Sequence, residues 1–115
     1  MSPVSPNLPQ EVHLLQAGLC SALADGTRIL LIYALANRPH NVTELMNALS
    51  LPQSTVSRHL KVLREQGLVG MVRQGQSIEY SLADRRLIET LEILREVLRD
   101  NLTRRALLVS EQETL

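Results

Sequence analysis

The stretch Gln53–Val69, QSTVSRHLKVLREQGLV, opens on small hydroxyl side chains, turns basic, and closes on a glycine followed by two apolar residues. Val56, Leu60 and Leu63 stand at i, i+4 and i+7, which puts them on one stripe of a helix. Ser54, Ser57, Arg58, Lys61 and Arg64 then lie on the other side. Pro52 suits the first position of such a helix, and Gly67 suits the cap that ends it. A helix apolar inside and hydroxyl-rich and basic outside can meet a polyanion. Charge alone would also fit a merely solvated face.

Upstream, the sequence predicts three more helices. Residues 1–8, MSPVSPNL, read as a flexible arm. From Pro9, the residues Val12, Leu15, Leu19, Ala22 and Leu23 recur at helical spacing to about Ala24. Asp25 can cap a second helix, whose run ILLIYALA is too continuously apolar for a surface element and belongs in the core. Asn41 stands three residues before Glu44, a capping box opening a short third helix. SLP then makes the tight turn into the Gln53 helix.

Downstream, the period changes. Val69, Met71 and Arg73 alternate with Gly70 and Val72, and Ile78, Tyr80 and Leu82 alternate with Glu79 and Ser81. QGQS between them reads as a hairpin turn built on Gly75. Asp84 can cap a last helix, where Leu87, Leu91, Leu94, Leu98 and Leu102 recur at heptad-like spacing. Arg85 with Glu89 and Asp100 with Arg104 supply i, i+4 pairs. The expected organisation is one domain over residues 9–109, with residues 110–115 a frayed tail.

Composition narrows the function. The chain has 115 residues, 44% of them apolar, with two Tyr and neither Trp nor Phe. Such a core is built from aliphatic side chains, and so few aromatics argue against a sheet-based RNA binder with a base-stacking platform. Net charge is zero, yet between Gln53 and Gln76 four basic residues face one acidic residue, a local +3. A basic patch on a neutral body fits a polyanion met over a limited footprint. No signal peptide or apolar run of membrane-spanning length is visible, so a cytoplasmic protein is expected.

Two short helices joined by a tight turn and followed by a hairpin describe a mainly α winged helix-turn-helix, ordered α1-α2-α3-α4-β1-β2-α5. The outer face of the fourth helix fits the major groove of DNA, and the hairpin would lie over the neighbouring backbone or minor groove. LADGTRILLIYAL, ELMNALSLPQSTVSRHLKVLREQGLV and GQSIEYSL together resemble the ArsR/SmtB family of bacterial winged-helix repressors, over about Leu23 to Leu82.

The resemblance implies a homodimer, held by the first and last helices, that represses transcription until an effector releases it. It implies DNA contact through Gln53, Ser54, Thr55, Ser57, Arg58 and His59, to which the basic face adds Lys61 and the wing adds Arg73, Gln74 and Gln76. His59 borders the buried stripe, so it fits local packing as well as base contact. Leu15, Leu19, Leu87, Leu91, Leu94 and Leu98 would form the dimer seam, since so wide an apolar stripe exceeds what one small body needs. Ser50 stands where relatives often have Gly, which suggests a less strained turn. The wing holds only Arg73 where relatives often have several arginines.

Metal-sensing relatives carry Cys-x-Cys in the third helix or Asp and His along the last. Here those places hold Asn41 and Thr43, while Asp84 is followed by Arg86 and no His occurs after His59. No metal or other cofactor is therefore expected. Cys20, the lone cysteine, is the single redox candidate, although an apolar stripe makes a buried structural thiol the default. His13 and His40 read as surface residues. No nucleophile-base pair or phosphate loop suggests an enzyme. The other class consistent with the fold is a protein-interaction winged helix that does not bind DNA.

Overall fold

The computed structural model describes residues 7–114. The arm expected over residues 1–8 thus lies almost wholly outside the described residues, and its last member, Leu8, is already helical. The chain divides between Asp84 and Arg85 into two compact units.

The first unit begins with α1 (Leu8–Leu15), which has Pro9 in its opening turn. A π-helical turn, Gln16–Cys20, follows directly, before the helical path ends at Ala22. The expected single α-helix is therefore right in extent to about two residues but not in type. α2 (Gly26–Asn37) starts at Asp25, whose Oδ1 accepts from the backbone N–H of Thr27 at 2.9 Å and of Arg28 at 3.2 Å. It buries Leu31, Ile32 and Leu35 and stops ahead of Pro39, which cannot continue a helix.

α3 (Val42–Leu49) opens on the expected capping box. Asn41 Oδ1 accepts from Glu44 N at 2.8 Å, and Glu44 Oε1 accepts from Asn41 N at 3.0 Å. Ser50 closes the helix at φ 54°, ψ 49°, with the next N–H, of Leu51, bonded to Met46 O. The turn is thus the left-handed one that glycine favours, and the relaxed turn expected from a serine is not what forms. The helix-ending hydrogen bond outweighs the crowding of its Cβ.

α4 (Gln53–Glu65) follows Pro52, which stands just outside the helix. Gly67, at φ +72°, ends it: its N–H donates to Arg64 O, and the N–H of Leu68 donates to Leu63 O. β1 (Val69–Gln74) and β2 (Ser77–Leu82) pair antiparallel from Val69↔Leu82 to Gln74↔Ser77, leaving Gly75, at φ +64°, and Gln76 as a two-residue turn.

The hairpin has a third, one-residue partner. His40 exchanges both backbone hydrogen bonds with Tyr80, at 3.0 and 2.8 Å. The expectation that His40 is a surface residue is overturned. It is buried, and its Nδ1–H donates to Arg38 O at 2.7 Å.

Leu45 of α3 and Val56, Leu60 and Leu63 of α4 are almost completely shielded from solvent, joined by Ala22, Leu68, Val69 and the α2 residues. α2 packs on α3, α4 and β2, so the turn between α3 and α4 sits on an aliphatic floor. This unit is a winged helix-turn-helix.

The second unit is one helix, α5 (Arg85–Thr114), of 30 residues. At 1.5 Å per residue it is about 45 Å long. The frayed tail expected over 110–115 is helical through Thr114, because no Gly or Pro interrupts the segment. Arg95 pairs with Glu92 at 2.8 Å, and Arg104 donates to Asn101 Oδ1 rather than to Asp100. Leu94, Val97, Leu98 and Leu102 are exposed, Leu87 is half-buried and Leu91 is buried.

Candidate nucleic-acid interface

The buried stripe of α4 leaves its other side outward. Gln53, Ser54, Ser57, Arg58, Lys61 and Arg64 are exposed and Thr55 is half-buried. Arg58 and Lys61 lie three residues apart, on neighbouring turns of one face. Among the described residues neither side chain makes a hydrogen bond or ion pair within the chain, so both cations remain available.

The wing continues this surface. Arg73, Gln74 and Gln76 are exposed around the Gly75 turn. Met71 and Val72 are exposed as well, which strand alternation does not anticipate, since it buries every second residue. Arg64 Nη1 donates to Met71 Sδ at 3.2 Å, joining the last turn of α4 to β1.

His59 does not belong to this surface. It is 7% exposed, and its Nδ1 lies 3.2 Å from Arg28 Nη1. Its place beside Leu60 and Val56 turns it inward, so the expectation of base contact is corrected to a buried polar contact. Arg28, which sequence reasoning passed over, also donates from Nε to Ala22 O at 2.6 Å and from Nη2 to Ser21 O at 3.2 Å. No periodicity marks Arg28; the sole hint is its place three residues after the Asp25 cap.

Cys20 is exposed at the end of the π-helical turn, which corrects the expectation of a buried thiol. The apolar stripe is itself exposed at Val12 and Leu15 of α1 and at Leu19 of the π turn, and Leu14 beside it is 71% exposed.

Two carboxylates are tuned by caps. The backbone N–H of Arg28 first, then the nearby cationic and backbone donors, hold the Asp25 carboxyl below the usual carboxylate value. For Glu44 the backbone N–H of Asn41 leads, with the Arg38 guanidinium at 3.0 Å second. Both tie down the frame of the helix-turn-helix. Among the described residues no group of three or more His, Cys, Asp or Glu is placed to hold a metal ion. No described helix is long and apolar enough to cross a membrane.

Residues 25–70, from the Asp25 cap to the start of the wing, match the model of the bacterial regulatory proteins of the arsR family. The chain is 32% identical over 101 residues to the nodulation protein NolR of Rhizobium meliloti, covering 88% of this chain and 82% of that protein. It belongs to the ArsR family. Another relative, the HTH-type transcriptional repressor SmtB of Mycobacterium tuberculosis, is 41% identical over 79 residues, 69% of this chain and 58% of that protein. The chain spans about three fifths of the length of the first curated relatives it matches, 63% and 58% of them. The crystal structure of NolR from Sinorhizobium fredii superimposes with a TM-score of 0.72 at 36% identity, over 84% of this chain and 96% of that one.

Proposed function

We propose that this ArsR-family chain is a cytoplasmic transcriptional repressor that binds an inverted-repeat DNA operator as a homodimer. One observation carries the reading: the outer face of α4 presents Ser54, Ser57, Arg58 and Lys61 to solvent while its inner face is locked in the core. Short hydroxyls permit close approach to a groove wall, and a free guanidinium reaches guanine edges or phosphate. Arg73, Gln74 and Gln76 of the wing extend the contact to the flanking backbone. The SmtB relative, a transcriptional repressor by name, supports the direction of regulation.

The dimer reading rests on apolar surface that a single chain leaves open. Leu15 on α1, Leu19 in the π turn, and Leu94 and Leu98 on α5 are all exposed. Covering such strips is worth about 25 cal/mol per Å² removed from water.

The effector is proposed to be something other than a metal. Asn41, at one place where metal-sensing relatives have Cys, already serves as the α3 cap. Zn(II), Cd(II) and As(III) are expected to leave DNA affinity unchanged.

The test is a titration of the purified chain against the promoter of its own operon and a scrambled duplex, at several salt concentrations. Preferential binding by a dimer is the expected result. A dimer that ignores both duplexes yet captures a protein partner would overturn the proposal in favour of an interaction module.

A further inference from the structure

We propose that Arg28 and His59 form a bracket that sets the rotation of α4 about its own axis and so decides which of its outer residues meet the bases. The inference rests on the DNA-binding reading above and assigns it two positioning residues, neither of which touches DNA.

The geometry begins with one guanidinium and three acceptors. Ser21 O and Ala22 O lie at the end of the helical path that follows the π turn, and Ser21 O already accepts from the backbone N–H of Ala24 at 3.2 Å. Arg28 donates to them from Nη2 and Nε at 3.2 and 2.6 Å, and a cation there also meets the negative end of the helix. The third arm, Nη1, reaches His59 Nδ1 at 3.2 Å. A guanidinium only donates, so Nδ1 must accept and the proton of the neutral imidazole sits on Nε2.

The contact matters because of what else α4 buries. Val56, Leu60 and Leu63 are apolar, and apolar contact has no direction. The Arg28–His59 hydrogen bond has one. His59 follows Arg58 directly, so the bond fixes the neighbour of an exposed cation on the face. With side chains reaching about 5–6 Å from the axis, a rotation of about 20° displaces their ends by roughly 2 Å. That is enough to break hydrogen bonds to base edges, whose useful range spans about half an ångström.

A second approach lies two turns further along. A Cβ on Gly18, within the π turn, would come 2.7 Å from Gln66 Oε1, just past the end of α4. Gln66 is flexible and exposed, so this is proximity and not a lock. The directional contact is the one at His59.

The experiment uses the full chain in four forms: wild type, Arg28→Lys, His59→Leu and His59→Asn. Leucine fills space without an acceptor, lysine keeps the charge but loses the fork, and the Asn Oδ1 stands where Nδ1 stood. Operator and scrambled affinities, the salt slope and the thermal midpoint are measured for each.

His59→Leu and Arg28→Lys are expected to lower the operator-to-scrambled affinity ratio about tenfold or more, the scale of one lost base contact, with the salt slope unchanged. His59→Asn should restore most of the ratio. A ratio unchanged in folded His59→Leu, or no better in His59→Asn, overturns the bracket alone. A wild type that does not distinguish the duplexes overturns the DNA reading and the bracket with it.

Should the variants fail to fold, long-range ¹H–¹⁵N correlation of the wild-type His59 ring decides. The Nε2–H tautomer with an accepting Nδ1 is expected, and the opposite tautomer contradicts the bracket.

Discussion

Replacing Arg73 by alanine isolates the wing. Arg73 lies opposite Ile78 in the hairpin, one step from the closing Gln74↔Ser77 pair, and it is exposed. Among the described residues its guanidinium has no hydrogen-bond or ion-pair partner. The substitution should therefore change folding stability by less than about 0.5 kcal/mol, as surface changes usually do.

Its effect on DNA follows from counting phosphates. A dimer carries two wings, and each lost contact lowers the slope of log affinity against log salt by about 0.9, so Arg73→Ala should flatten it by about 1.8. Between 50 and 200 mM salt, a fourfold range, the wild type should then lose about tenfold more affinity than the variant. Operator and scrambled duplex should be affected alike, because a phosphate carries no sequence. Arg58→Ala gives the contrast: it should cost about 1–3 kcal/mol per site, mostly on the operator, if it reads guanine. Fluorescence anisotropy with both duplexes across a salt series reads all of this. An Arg73→Ala slope equal to wild type would refute the phosphate assignment.

Leu98→Glu places a charge on an exposed position of α5, so helix content should persist while sedimentation equilibrium shows dissociation, because the seam would have to bury an unpaired carboxylate. A persistent dimer would move the seam elsewhere. Asp25 has a folded pKa held below its usual 3.8, so its stabilisation is present above that value and is lost as pH falls through the lower, folded value. Asp25→Ala should thus melt below wild type at neutral pH and converge with it in strong acid; a gap constant with pH would contradict this. Ser50→Gly should raise the melting temperature by a few degrees. Relief of the left-handed Cβ crowding, about 1–2 kcal/mol, exceeds the roughly 0.5–1 kcal/mol entropic cost of glycine. A lower midpoint would show that the Ser50 conformation is unstrained.

Periodicity was informative wherever burial had one direction. Val56, Leu60 and Leu63 are buried where their spacing put them, and Asp25, the Asn41–Glu44 pair and Gly67 cap the helices they flank. Contacts between distant segments left no such trace. His40 is taken up by a one-residue pairing with Tyr80, and His59 by Arg28, 31 residues away in sequence. The π turn was equally invisible, because widening one turn needs no special residue type. On the candidate interface, the outer positions of α4 and the exposed Arg73, Gln74 and Gln76 around the wing turn followed from the pattern, whereas the exposure of Met71 and Val72 did not. The other exception was His59, whose border position could be settled just by knowing what stands beside it.

The central claim is that two copies of α4 enter successive major grooves of one operator. Hydroxyl-radical footprinting of the wild-type chain on its own promoter tests it most directly. The account predicts protection in two patches on one face of the duplex, about 34 Å or one helical turn apart, centred on an imperfect inverted repeat. Protection of a single patch, or of none at concentrations where the chain is folded and dimeric, would contradict it.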